Sequence, residues 1–180
     1  MRKASLLGAV HRVREKFVHL RKRMKTFKID LPSGSVYEYL CWKEDLDTDR
    51  ECFSNYTTVW VDTAKFISYA EKSPNVPMIS NVESWDDNKR ERYIKGANPN
   101  DGIGHLCTPR VVFNDYEDEV IESKFLGFQK ERSIVKVRYV GFVNGRHRTR
   151  IAEYLGAKNI PVQVSKDNVD TLLKYCSPDD

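Results

Sequence analysis

The chain has 180 residues, 40% of them hydrophobic and 31% charged. That favours one core-forming domain, with or without an arm, and excludes wholesale disorder. The net charge of +4 averages two unlike regions: residues 1–28 hold ten Lys or Arg against the single acid Glu15, for +9, and the other 152 residues carry −5. No apolar run reaches the roughly 18–20 residues needed to cross a bilayer, so no transmembrane segment is expected. The apolar stretch after Met1-Arg2-Lys3 is too short for a signal peptide and runs directly into His11-Arg12. Cys41, Cys52, Cys107 and Cys176 lack any Cys-x-x-Cys spacing and read as reduced, structural thiols, which implies a cytoplasmic setting.

Residues 4–25 are expected to form a helix. Leu6, Val10, Val13, Phe17, Leu20 and Met24 recur at three- and four-residue steps and make one apolar stripe set among cations. Leu31-Pro32-Ser33-Gly34 is a turn, so the chain divides into a basic helical arm, residues 1–28, and a main domain, residues 29–180. Strands are predicted at 36–42 and 56–61, the second strongly so from its Tyr-Thr-Thr-Val-Trp-Val content. Residues 44–51 read as an acidic loop. Asp62 or Thr63 is placed to cap a helix over 64–71. A charged helix is expected over 85–95, a loop over 96–104, and a short strand over 109–113. The acids from Asp115 to Glu119 belong on a surface. Residues 134–143 make the best strand, and 167–176 a closing helix.

The chemistry concentrates in residues 135–164, which read as strand, glycine turn, short helix, glycine stop, strand. Gly145 lacks the Cβ that would obstruct a sharp exit from a strand. The helix after it opens on Arg146, His147 and Arg148, so its first backbone N–H groups and three cationic or titratable side chains converge. Such a helix start is an anion site on dipole grounds. Arg146 and Arg148 can add bidentate phosphate contacts, and Thr149 a hydroxyl. Gly156 suits the helix stop, and Ile160-Pro161-Val162 begins the next strand.

In this stretch the sequence resembles the ParB/sulfiredoxin superfamily: Gly-x-x-Arg at a strand–helix junction, a short helix, Gly, then an Ile-Pro-Val strand over residues 145–162. The form Phe-Val-Asn-Gly-Arg-His-Arg-Thr-Arg looks most like the plasmid fertility-inhibition, or Osa/FiwA-like, branch. Trp60-Val61-Asp62 with Lys65-Phe66 is similar to the strand and helix that open the domain there. The resemblance implies an α+β fold, with a small mixed sheet flanked by helices. It also implies a site for nucleotide phosphates, ATP or CTP with Mg²⁺, at Gly145, Arg146, His147, Arg148 and Thr149. If the protein hydrolyses nucleotide, Arg148 and His147 are the expected catalytic residues. Sulfiredoxin chemistry is not expected, because Arg146 stands where that branch needs a cysteine. Centromere binding is not expected either: neither the upstream arginine box nor a downstream helix-turn-helix of ParB proteins is found. The biology implied is a regulatory protein of a mobile element, such as a conjugation inhibitor.

Alternatives stay open at several residues. His147 is either a general acid/base or the partner of a nearby carboxylate. Thr149 bonds either a phosphate oxygen or its own helical turn. The arm cations Arg12, Arg14, Lys16, Arg21, Lys22, Arg23 and Lys25 suit nucleic-acid phosphates, an acidic protein partner or an anionic membrane surface. Equally, the arm's stripe docks on its own domain and its cations are solvated. His105 and Cys107, in and after the glycine loop, are a weak metal pair. The acids Glu83, Asp86 and Asp87, and Asp115 to Glu119, supply either a magnesium ligand or plain surface charge. Two further readings are a non-catalytic inhibitor working through the arm and a nucleic-acid-binding protein or nuclease.

Overall fold

The computed structural model describes residues 25–44, 55–100, 106–124 and 129–179. Most of the arm, including Arg12, Arg14, Lys16, Arg21, Lys22 and Arg23, lies outside the described residues, as do most of the acidic loop and the loop at 101–105. Lys25 is described and is exposed.

Two small sheets form the centre. In the first, β1 (Thr26–Asp30) pairs antiparallel with β2 (Tyr39–Lys43), and β2 pairs parallel with β4 (Leu106–Cys107). The second has the order β3-β7-β5-β6, from β3 (Tyr56–Asp62), β7 (Asn159–Ser165), β5 (Arg110–Lys124) and β6 (Gln129–Asn144). It is mixed: β7 runs antiparallel to β3 and parallel to β5, while β5 and β6 form a long antiparallel hairpin. The first sheet lies on one face of the second, with Phe27 edge-on to Trp60 at 6.2 Å between centroids. The opposite face packs against α1 (Thr63–Ala70) and α4 (Val169–Cys176), where Phe66 meets Phe142 and Tyr69 meets Phe113. The α+β expectation holds, but with two mixed sheets in place of one.

Local chemistry accounts for most boundaries. Asp62 accepts from the Lys65 amide at 2.8 Å and starts α1. Asp86 does the same for Lys89, so α2 (Asp87–Gly96) begins two residues later than the sequence suggests. The strand expected at 36–42 is shorter and later, because the Gly34 turn is closed by Leu31 donating to the Glu38 carbonyl. Residues 166–168 form a 3₁₀ turn rather than the first turn of the closing helix. The position expected to divide arm from domain, between residues 28 and 29, falls within β1.

The largest difference is the β5–β6 hairpin. Glu117, Asp118 and Glu119 are exposed as expected, but Asp115 is half-buried against Arg138 and Tyr175, and all four sit in a 15-residue strand rather than after a short one. Their partners are on β6: Arg138 is 3.1 Å from Asp115, and Arg132 is 3.3 Å from Glu119. Beyond the single β5–β7 pairing at Arg110 and Gln163, the hairpin continues as a two-stranded ribbon.

Candidate functional site at the start of the third helix

The site begins where β6 ends. Gly145 has a φ of +94°, and a Cβ there would stand 2.7 Å from the backbone Cα of Pro109. The position therefore requires glycine twice, for its left-handed backbone and for close approach. The helix α3 (Arg146–Tyr154) starts at once and has no side-chain cap, unlike α1 and α2 with their aspartates. It ends in a Schellman pair: Gly156 donates to Glu153 and Ala157 to Ala152, both at 2.8 Å. Gly156, at φ +85°, is seated against Pro32.

The five residues that the motif singles out follow one another through the start of α3, and their side chains go to different places. Arg146 extends along the surface and donates to the Pro77 carbonyl at 3.0 Å. Arg148 donates to the Cys107 carbonyl and, at 3.2 Å, to the Asn144 side chain. Asn144 also accepts from the Arg110 amide at 3.0 Å, so Arg148 ties the end of β4, the start of β5 and the end of β6 together. The Thr149 hydroxyl is buried and donates to the Gly145 carbonyl at 3.2 Å, which answers its role in favour of the helical turn. Arg150 is also buried. Its guanidinium reaches Ile79 O at 2.9 Å, Glu153 at 2.8 Å and Glu71 at 2.7 Å.

His147 has aromatic neighbours. Its ring stacks on Tyr93 at 4.9 Å with an interplanar angle of 5°, and meets Trp85 edge-on at 5.6 Å. Lys89 lies 4.4 Å over the Trp85 ring. Burial first, then the charges of Lys89 and Arg146, hold the imidazole below its ordinary pKa. The shift favours the neutral ring. Sequence reasoning missed Trp85, Tyr93 and Lys89 as neighbours of the turn. They stand more than fifty residues away, and nothing in the local pattern links the two segments.

Other expected features separate from this site. Among the described residues no group of three His, Cys, Asp or Glu side chains converges on a metal position. His105 lies outside the described residues. Burial pushes the Cys176 thiol up to about 12 and raises Cys41 as well, which suits structural thiols. No helix among the described residues is long and apolar enough to cross a membrane.

With the fold and turn established, three comparisons bear on the chain. No curated protein sequence matches it. Its fold is similar to the crystal structure of the Oncogenic Suppression Activity Protein, described as a plasmid fertility inhibition factor and solved as a gold(I) cyanide derivative. That match has a TM-score of 0.54 at 13% identity and covers 84% of this chain and 68% of the other, so it concerns the fold. The sequence model of the plasmid fertility inhibition factor family matches residues 58–177, from β3 through the closing helix, and so includes the whole β6–α3 turn. The chain belongs to the plasmid fertility inhibition factor family.

Proposed function

We propose that this protein inhibits conjugative transfer of a plasmid, the role that its family's description carries, and that the turn at residues 145–148 takes the phosphates of a nucleotide. The observation behind the second half is the uncapped start of α3. An α-helix cannot satisfy its own first-turn N–H groups, and the charges of Lys89 and Arg146 both act on His147 in the first turn of α3. These groups favour an anion. Trp85, Tyr93 and His147 offer ring surface beside them. Mg²⁺ in this reading arrives on the phosphates of ATP or CTP and keeps its waters, as it does in many nucleotide sites.

Binding is better supported than turnover. In a hydrolytic cycle Arg148 stabilises transferring charge and neutral His147 accepts a proton. Yet Arg148 already holds Cys107 and Asn144, and His147 is packed on two rings. Those commitments favour a second reading, a non-catalytic inhibitor that acts by contact, its basic arm meeting an acidic protein or nucleic acid. Inheritance of the wider ParB/sulfiredoxin phosphate chemistry belongs to the first reading.

Calorimetry with ATP, CTP and GTP, each with Mg²⁺, on the wild type, Arg146→Ala and Arg148→Ala separates them. We expect micromolar-to-millimolar binding weakened about tenfold by Arg146→Ala, the loss of one charge-assisted phosphate contact. Absence of binding to the wild type removes the nucleotide half and leaves the contact inhibitor. Binding that both substitutions leave intact moves the ligand away from the turn.

A further inference from the structure

The ribbon formed by the outer parts of β5 and β6 has one unusual face. Register places Val112, Tyr116 and Val120 of β5 on the same face as Val135 and Val137 of β6, with Tyr116 directly opposite Val137 and Asp118 opposite Val135. Val112 is 38% exposed, Tyr116 43% and Val135 39%, so an apolar strip interrupted by Asn114 and Asp118 meets solvent. Asp118 is the only charged residue on that face between 112 and 120 or between 133 and 141. The cations Arg132, Lys136 and Arg138 all stand on the other face, beside Asp115, Glu117 and Glu119, where the exposed Ile121 and Ile134 are interspersed with charge.

The path of the chain indicates what covers the strip. The first sheet lies on this same face of the second, with Phe27 against Trp60. Two residues earlier, the Lys25 carbonyl accepts from the Glu44 amide at 2.8 Å, and the Glu44 carboxylate accepts from the Thr58 hydroxyl at 3.3 Å. Going backwards from Phe27 to Lys25 thus follows β3 from Trp60 to Thr58, towards Tyr56. Arg110 lies 5.3 Å over the Tyr56 ring, at the root of the ribbon, and Val112 follows it. Lys25 consequently stands towards the end of β3 that is nearest the base of the apolar strip.

We infer that residues 1–24 dock along this ribbon face, laying the stripe Leu6, Val10, Val13, Phe17, Leu20 and Met24 on Val112, Tyr116, Val120, Val135 and Val137. The lengths agree. A helix over residues 4–24 spans about 30 Å, and the ribbon from Val112 to Val120 spans about 27 Å. Charge agrees as well: residues 1–24 hold eight Lys or Arg against Glu15, and the face they meet offers one carboxylate and no cation. A two-stranded ribbon has little stability of its own in water and gains most from a cover on its bare face. Docked this way, the segment keeps its cations outward.

Amide hydrogen exchange on the full chain tests this, comparing the wild type with Phe17→Asp/Leu20→Asp, whose changes lie outside the body. We expect exchange in residues 112–121 and 132–139 to speed up about tenfold or more in the variant while β3 and β7 are unchanged. The reciprocal variant, Tyr116→Lys/Val135→Lys, should speed exchange in residues 4–24. Ribbon exchange that is equal in the wild type and the arm variant overturns the inference. So does ribbon protection that survives the arm variant and grows with protein concentration alongside a dimer in sedimentation, because a second copy is then the cover.

Discussion

The β6–α3 turn and the β5–β6 ribbon carry similar charges and use them in opposite ways. At the turn, Arg150 is buried, so its three acceptors, Ile79 O, Glu71 and Glu153, are obligatory: a guanidinium removed from water must be fully bonded. On the ribbon, Arg132 and Glu119 are both exposed and their ion pair competes with water on nearly equal terms. The difference teaches that charge in this sequence reports function poorly until burial is known. Of the three arginines in α3, one is a structural rivet, one a strand tie, and one reaches along the surface to the Pro77 carbonyl.

The sharpest way to break the turn is Gly145→Val. It places a branched Cβ where Pro109 backbone stands 2.7 Å away and forces a positive φ on a residue that avoids it. We expect a loss of about 3 kcal/mol or more, read as the shift of the denaturant midpoint at constant slope. If the variant is as stable as the wild type, the junction is not the fixed point described above. Arg150→Ala comes next. It leaves the Ile79 carbonyl without its donor, while Glu71 and Glu153 recover water, so about 2 kcal/mol is expected in the same measurement.

A smaller effect is expected from pH. The folded state holds His147 below its ordinary pKa, so the unfolded chain binds the proton more readily. The stabilisation from neutral His147 is complete above the unfolded value of about 6.5 and is lost as pH falls through it towards the folded value. Thermal midpoints from pH 8 to pH 5 should fall more steeply for the wild type than for His147→Phe; parallel curves would show that stacking on Tyr93 does not disfavour the imidazolium. The smallest change belongs to the ribbon. Arg132→Ala should cost less than about 0.5 kcal/mol, and a loss comparable to that of Arg150→Ala would erase the contrast between the two regions.

How much was legible follows from the range of the interactions. Gly145, the helix stop at Gly156 and the Ile-Pro-Val strand are encoded within 18 residues by backbone needs that only particular residue types meet, so the turn could be read directly. The aspartate caps of α1 and α2 are equally local. The ribbon was read as a short strand and loose acids because Asp115 finds Arg138 23 residues away, and one-dimensional periodicity carries no trace of that pairing. The same limit hid Trp85 and Tyr93 from His147.

By itself, then, the sequence determined a basic segment ahead of a slightly acidic body, a glycine-framed strand–helix–strand, and the resemblance that its motif carries. These depend on composition and on neighbours along the chain. Tertiary structure alone decided which arginines are spent internally, that Thr149 bonds its own helix, that His147 packs among rings, and that Val112, Tyr116 and Val135 meet solvent on one face of the ribbon. Those outcomes are set by burial and by contacts between residues far apart in sequence, where desolvation makes a polar group choose its partner.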